Sequence, residues 1–350
     1  MKKIKMGILG FGFMGHNHGK NIQSFDELEL IAVCDINPKQ LADAPEGILI
    51  YEDVDEFLKA DMEVVIISVP NPIHYLMVEK CANAGKDIIC EKPAAMNVVE
   101  YDKMLEITEK KGVRFTVHQQ RRWDYDYRIM KEVFQQQLVG KPYIIKSQLY
   151  GVNGNMHDWH IYPEMGGGML YDWGIHLIDQ ILTMVPSKVV SLYAVINNVI
   201  NEKVDDYFKI IISFDNDLTA EIELGTYYLT PKRAWFIGGT TGSAVIDNFK
   251  GEGQIVRTHH LLENVPGEIT MTAAGPTRSF GPPEEGLLYE DPLPEVERMN
   301  SEKFYLRNYI DAYLGNTEFE VKADEVRRDL VFMEAVRKSA ATKEAVRFEV

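Results

Sequence analysis

Cysteine is scarce in this chain: Cys34, Cys81 and Cys90 are the only three in 350 residues. Their spacing fits neither a disulfide framework nor a metal knuckle. They read as small core residues of a reduced, cytoplasmic protein. Long apolar runs are missing too, whereas a helix that spans a bilayer needs about 20 such residues. Met1-Lys2-Lys3 leads straight into a strand-like run and leaves no room for a secretory leader. Positive charge is in deficit: 37 Lys and Arg against 53 Asp and Glu give −16. That balance argues against nonspecific binding to nucleic acid or to an anionic membrane. There is no internal repeat and no low-complexity tract. What remains, 45% hydrophobic and 26% charged residues, is ordinary for a globular protein, and the length suits two domains.

The first stretch organises the rest. Ile4 to Leu9 is apolar and reads as a buried strand. Gly10, Gly12 and Gly15 follow in G-x-G-x-x-G order. Gly10 allows a tight turn, Gly12 lets backbone approach a pyrophosphate, and Gly15 lets a helix pack close to the strand. That helix starts near Phe13 and Met14, so its first N–H groups and its dipole face the phosphates. A second strand, Leu28 to Cys34, ends in Asp35, 20 residues beyond Gly15. An acid there accepts hydrogen bonds from an adenosine ribose and repels a 2′-phosphate, which favours NAD over NADP.

Further along, strands and helices alternate. Asn37-Pro38 opens a short helix. Ile48 to Tyr51 is a short strand, and Asp53 to Lys59 a helical turn or two. Glu63 to Val69 reads as a central parallel strand, stopped by Pro70-Asn71-Pro72, which excludes both helix and central strand. Helices are expected over 73–84 and 98–111, with strands at Asp87 to Cys90 and Arg114 to His118. This predicts a right-handed, doubly wound parallel sheet over residues 1–122. The pattern then changes. After a helix over 125–138, strand-like runs cover 143–150, 189–196, 207–214, 218–226, 234–237 and 243–247. The turn at Asp215-Asn216-Asp217 makes the third and fourth an antiparallel hairpin. Residues 123–350 are therefore expected to form an α+β domain, with an open-faced, mostly antiparallel sheet. From His260 to Met299 periodicity disappears, and six of the 15 prolines fall there, so a long structureless loop is expected. Two helices follow, over 302–314 and 323–342.

Two groups could carry chemistry. Lys92 stands at the carboxyl end of a strand, between Glu91 and Pro93, in the crevice where open α/β sheets bind ligands. Its ammonium could stabilise a developing alkoxide, or simply cap the strand from the surface. The second group runs from Gly166-Gly167-Gly168 through Tyr171, Asp172, His176 and Asp179. Leu170, Trp173, Leu177 and Ile181 give it helical periodicity. Asp172 and His176, four apart, then share a helix face, where the carboxylate could orient the imidazole as a base. An exposed surface pair would have the same spacing. Two ligands at i, i+4 make a poor metal site even with His157 or His160 added, and the His16/His18 pair reads as non-metal. No metal is assigned.

Gly10-Phe11-Gly12-Phe13-Met14-Gly15, Pro70-Asn71 with His74, Glu91-Lys92-Pro93, and Gly167-Gly168 through Asp172, His176 and Asp179 together resemble the glucose–fructose oxidoreductase/inositol dehydrogenase family (Gfo/Idh/MocA), over nearly the full length. The resemblance implies an active site between the two domains, with Lys92, Asp172 and His176 catalytic. His176 would take a hydroxyl proton, oriented by Asp172, while Lys92 stabilises the alkoxide and hydride passes to a nicotinamide. It implies cofactor contacts from Gly10, Gly12, Phe13, Met14, Gly15, Asp35, Pro70, Asn71, His74, Glu91 and Lys92. Such proteins often have a cis Lys–Pro bond at this motif. Arg122, Trp123, His157, Trp159 and Tyr171 become candidates for a sugar, cyclitol or polyol, or equally core or interface residues. Gln120 and His160 stand where many members have Asn and Arg, so substrate identity does not transfer from those members. Alternatives are a hydride shuttle with tightly bound NAD(P) and a nucleotide-sensing regulator, which would need none of the three catalytic groups. A homodimer or homotetramer through the open sheet face is implied as well.

Overall fold

Short apolar runs separated by glycine and proline build the first half of the chain. They are β1 (Ile4–Leu9), α1 (Phe13–Ile22), β2 (Leu28–Cys34), α2 (Pro38–Leu41), β3 (Leu49–Tyr51), α3 (Val54–Phe57), β4 (Val64–Ile67), α4 (His74–Asn83), β5 (Asp87–Cys90), α5 (Val98–Lys111) and β6 (Phe115–Val117). The computed structural model describes residues 3–151, 158–260, 268–278 and 285–348. The six strands are parallel, in the order β3-β2-β1-β4-β5-β6. The order reverses between β1 and β4, which opens a crevice at their carboxyl ends. All four residues of β4 are buried, as a central parallel strand requires. Local chemistry sets the helix ends. The Asn37 side chain accepts from the Lys39 N–H with Pro38 at the first position of α2. Gly112 closes α5 at φ +65°. Pro70-Asn71-Pro72 does not exclude helix altogether. The chain makes one 3₁₀ turn, Asn71–Ile73, because proline's missing N–H has no intrahelical partner in a first turn.

The second half contains α6 (Tyr125–Gln135), β7 (Pro142–Tyr150), α7 (Ile175–Met184), β8 (Val189–Asn197), β9 (Tyr207–Phe214), β10 (Thr219–Gly225), β11 (Trp235–Gly239), β12 (Gly242–Ile246), β13 (Gly253–Thr258), β14 (Ile269–Thr272), β15 (Gly275–Arg278), β16 (Leu288–Asp291), α8 (Ser301–Tyr313), α9 (Ala323–Thr342) and β17 (Val346–Arg347). Nine strands form one sheet, β16-β13-β12-β11-β7-β10-β9-β8-β17. Only β7 and β10 pair in parallel; every other neighbouring pair is antiparallel. β9 alternates strictly, burying Phe208, Ile210, Ile212 and Phe214 on one face. The long loop expected over 260–299 instead carries strands among its described residues. β14 and β15 form a separate hairpin, and β16 joins the nine-stranded sheet beside β13. Four-residue strands leave little alternation to read, and β14 is exposed at every position.

The chain beyond residue 122 does not stay with the second sheet. Tyr305, Leu306, Tyr309 and Ile310 of α8, with Val321, Val326 and Leu330, pack into the core of the parallel sheet. Phe332, Met333 and Val336 of α9 enter the core of the nine-stranded sheet. Burying a large apolar side chain is worth about 1.5–3 kcal/mol. The seven side chains given to the first core thus rival the net stability of a whole domain, about 5–15 kcal/mol. α9 ties the two cores together, and residues 1–122 lack part of their core without it. No helix among the described residues is long and apolar enough to cross a membrane.

Candidate active site

The glycine turn after β1 has the geometry its spacing demands. Gly10 sits at φ +91°, and a Cβ there would stand 2.5 Å from the Ser68 carbonyl oxygen. A Cβ on Gly15 would collide with the Gly10 carbonyl, so α1 packs directly on the turn. A Cβ on Gly12 would meet nothing within 4 Å, so the turn is open on that side. α1 begins with no side-chain cap and no acid in its first turn, which leaves its N–H groups to an anion. Phe13 is exposed and Met14 half-buried there. The Asp35 carboxylate is tied on both oxygens, accepting from the Phe11 N–H at 2.7 Å and the Asn37 N–H at 2.8 Å. A carboxylate has about four lone-pair sites, so capacity remains for ribose hydroxyls. These residues fit an NAD-type dinucleotide.

At the ends of β4 and β5 the chain is stapled. Pro70 is half-buried and Asn71 buried; the Asn71 amide donates to the Gly166 carbonyl at 3.4 Å. His74 is fully buried. Its Nε2 lies 2.9 Å from the Val69 carbonyl and its Nδ1 3.0 Å from that of Pro93. Burial pushes the His74 pKa down. This ring clamps β4 to the segment after Lys92, which differs from the expected contact with cofactor. The Lys92–Pro93 bond is cis.

Lys92 Nζ donates to both the carboxylate and the main-chain carbonyl of Asp172, each at 3.0 Å. His176 does not pair with Asp172. Its Nδ1 lies 3.1 Å from the Gln119 side-chain oxygen. Leu170–Gly174 form a π-turn, with the Ile175 N–H donating to the Leu170 carbonyl. A shared helix face does not by itself pair two side chains: the Asp172 carboxylate is held by Lys92 and the His176 ring by Gln119. Burial drives the His176 pKa well below its usual value, helped by the nearby charges of Lys92 and Arg121. These influences favour the neutral imidazole.

Behind Lys92 lies a buried chain of ionisable groups. His18 Nε2 is 2.8 Å from Glu91 Oε1, and His118 Nδ1 is 3.0 Å from the same oxygen. His118 Nε2 is 2.9 Å from Glu302 Oε2. Both His118 nitrogens thus lie within ion-pair distance of a carboxylate. Despite burial, the two carboxylates raise the His118 pKa to about 10, and Glu91 and Glu302 are lowered in return. Ligand atoms of His18, Glu91 and His118 lie within 4.8 Å of one another, a set that could hold a metal. At these distances they neutralise each other directly. Glu91 Oε2 also accepts from the Lys92 N–H at 3.1 Å, so Glu91 anchors the lysine's backbone.

The substrate candidates scatter. Arg122 is buried and forms a bidentate pair with Asp179, at 2.9 Å through Nε and 2.5 Å through Nη2; its Nη1 reaches Glu325 at 2.6 Å. Its side-chain hydrogen bonds are all to Asp179, Glu325 and the Glu320 carbonyl, which makes it a buried ion pair at the edge of a surface hollow. Tyr171 is also buried, donating to the Met96 carbonyl at 2.9 Å with Arg337 4.1 Å over its ring. Trp123 packs edge-on to Tyr305 in the first core. Trp159, half-buried, stacks on His160 at 3.8 Å. His157 lies outside the described residues.

Comparison with known proteins fits this geometry. Residues 4–119 match the model of an oxidoreductase family with an NAD-binding Rossmann fold. Residues 127–245 match the GFO/IDH/MocA C-terminal domain. An NAD-binding protein from Listeria innocua is 32% identical, with a TM-score of 0.88 over 99% of this chain and 97% of that one. The chain belongs to the GFO/IDH/MocA oxidoreductase family. Among its relatives, myo-inositol 2-dehydrogenase of Thermotoga maritima is 26% identical over 195 residues, 55% of this chain and 58% of the relative. The NADP(+)-linked scyllo-inositol 2-dehydrogenase of Bacillus subtilis is 27% identical over 219 residues, 60% of each.

In this GFO/IDH/MocA protein, three site features escaped sequence reasoning. Gln119 gave no signal, because its partner is 57 positions away. Arg121, whose guanidinium stacks 3.9 Å over Trp173, looked like one of two adjacent arginines. His18, His118 and Glu302 come from α1, the end of β6 and α8. Nothing local links them. Two surface hollows, one lined by residues such as Lys188 and Arg347 and the other by Arg122, Trp123, Arg128 and Lys131, contain none of Lys92, Asp172 or His176.

Proposed function

We propose that this protein is an NAD-dependent dehydrogenase acting on a carbinol of a sugar, cyclitol or polyol. The observation that carries the proposal is the Lys92–Asp172 ion pair after β5, with the buried His176 near enough to feel the Lys92 charge. A bound nicotinamide would accept the hydride. His176 Nε2 would take the hydroxyl proton. The Lys92 ammonium would stabilise negative charge on the substrate oxygen, and Asp172 would hold that ammonium in place rather than orient His176. One preorganised donor of this kind is worth about 2.7–4 kcal/mol, or about 10²–10³ in turnover. Asp35 supports NAD over NADP, because Ile36-Asn37-Pro38 beside it offer no cation for a 2′-phosphate.

Residues 1–122 would bind the dinucleotide. The remainder would close the substrate site and carry a homodimer or homotetramer contact on the open sheet face. Half-exposed Ile144, Val195, Ile211 and Phe236 support that contact. The test is NADH formation across inositols, aldoses, sugar acids and polyols, with NADP in parallel. Lys92→Met and His176→Ala should each cut turnover by about 10²–10⁴ while NAD still binds. Unchanged turnover in both variants would remove the catalytic assignment.

A further inference from the structure

We propose that Gln119 is the positioning residue for His176: its side-chain oxygen accepts the Nδ1 proton, leaving Nε2 as the basic nitrogen presented to substrate. The inference rests on the dehydrogenase reading above and deepens it.

Gln119 follows β6 in a tight turn. Its N–H donates to the Val117 carbonyl at 2.9 Å, and its own carbonyl accepts from the Arg122 N–H at 3.3 Å. The backbone is therefore fixed, and the side chain is 1% exposed. Its oxygen lies 3.1 Å from His176 Nδ1, the one hydrogen bond of that ring among the described residues. The Asp172 carboxylate is held by Lys92 instead. Among the described residues no carboxylate hydrogen-bonds to the imidazole, and Gln119 takes the place the helix spacing suggested for Asp172.

The hydrogen bond at one imidazole nitrogen decides where the proton sits on the ring. An amide oxygen at Nδ1 requires N–H there and a lone pair on Nε2. A carboxylate at the same place would also favour imidazolium, whereas an amide adds no charge. The other charged groups around the ring act in one main direction. Lys92 at the end of β5 and Arg121 and His118 after β6 disfavour imidazolium; Glu91 opposes them weakly. The opposite amide orientation would set N–H against Nδ1 and put the proton on Nε2, where the ring could not act as a base.

The experiment is ¹⁵N NMR of histidine-labelled full-length protein, with His176→Asn to assign the ring. In the wild type, Nδ1 should carry the proton and Nε2 should be unprotonated across pH 6–8. Gln119→Met keeps the volume but loses the acceptor. It should give a mixed tautomer and lower kcat about 10–100-fold with NAD binding unchanged. Gln119→Glu should raise the pH at which His176 titrates and move the acid limb of kcat/KM the same way. Asp172→Asn should leave the His176 tautomer as in the wild type. A wild-type proton on Nε2, an unchanged tautomer in Gln119→Met, or a tautomer lost in Asp172→Asn would each overturn the inference. Because NMR needs no turnover, the two proposals fail separately. If Lys92→Met and His176→Ala stay fully active, the dehydrogenase reading falls while the Gln119–His176 pair can still be observed.

Discussion

Arg122 gives the sharpest test of how this molecule is held together. Its guanidinium is 3% exposed and carries hydrogen bonds to Asp179, Glu325 and the Glu320 carbonyl. Asp329, fully buried in the same cluster, has its pKa pushed well up by burial and by the charge of Asp179. Arg122→Met would leave the Asp179 carboxylate buried without its cation. Breaking a buried pair from one side typically costs about 3–5 kcal/mol. At about 2 °C per kcal/mol for a large protein, the melting midpoint should fall by about 6–10 °C at pH 8. The pH dependence has a definite sign. In the variant, the folded state favours a neutral carboxyl, so it holds a proton the unfolded chain releases above about pH 4. The variant's deficit should therefore grow with pH and shrink towards pH 5. Arg122→Met/Asp179→Leu, which removes both charges, should recover most of the loss. Scanning fluorimetry at pH 5 and pH 8 checks this. A deficit under about 2 °C at both pH values, with a raised KM for substrate, would refute the structural role and return Arg122 to the pocket.

Three more outcomes follow from the geometry. Gly10→Ala should lower the melting midpoint, because φ +91° and the Ser68 carbonyl both oppose a side chain. Gly12→Ala should leave the midpoint within about 1 °C and weaken NAD binding about 10-fold or more, as read by calorimetry. Asp35→Ser should narrow the preference for NAD over NADP; a wild-type preference for NADP would contradict the role given to Asp35. His118 stands between Glu91 and Glu302 with its pKa raised to about 10. Its stabilising contribution is full below about pH 6.5 and declines as pH rises towards 10. The stability loss between pH 7 and pH 10 should be smaller in His118→Gln than in the wild type, measured by denaturant titration.

Local chemistry made the first half of this protein legible. The glycines at 10, 12 and 15, the Asn37-Pro38 cap and the closing Gly112 act within a few residues, and each does in the fold what its neighbours imply. Apolar runs reveal strands because a buried parallel strand has no polar face to hide. The hairpin of β9 and β10 was equally readable, since a short turn fixes its pairing. Lys92 could be placed at a strand end for the same reason. Tertiary structure alone decided the rest. A shared helix face does not choose partners: Lys92 holds Asp172 and Gln119 holds His176, each from a distant part of the chain. Arg122 met Asp179, and His18 met Glu91, His118 and Glu302, across dozens to hundreds of positions, where no periodicity operates. α8 and the start of α9 returned to the first core because its apolar faces needed covering, and nothing in their own sequence says which of two cores they fill. Side-chain pairing over long separations depends on how whole elements pack, and packing is a property of the assembled chain.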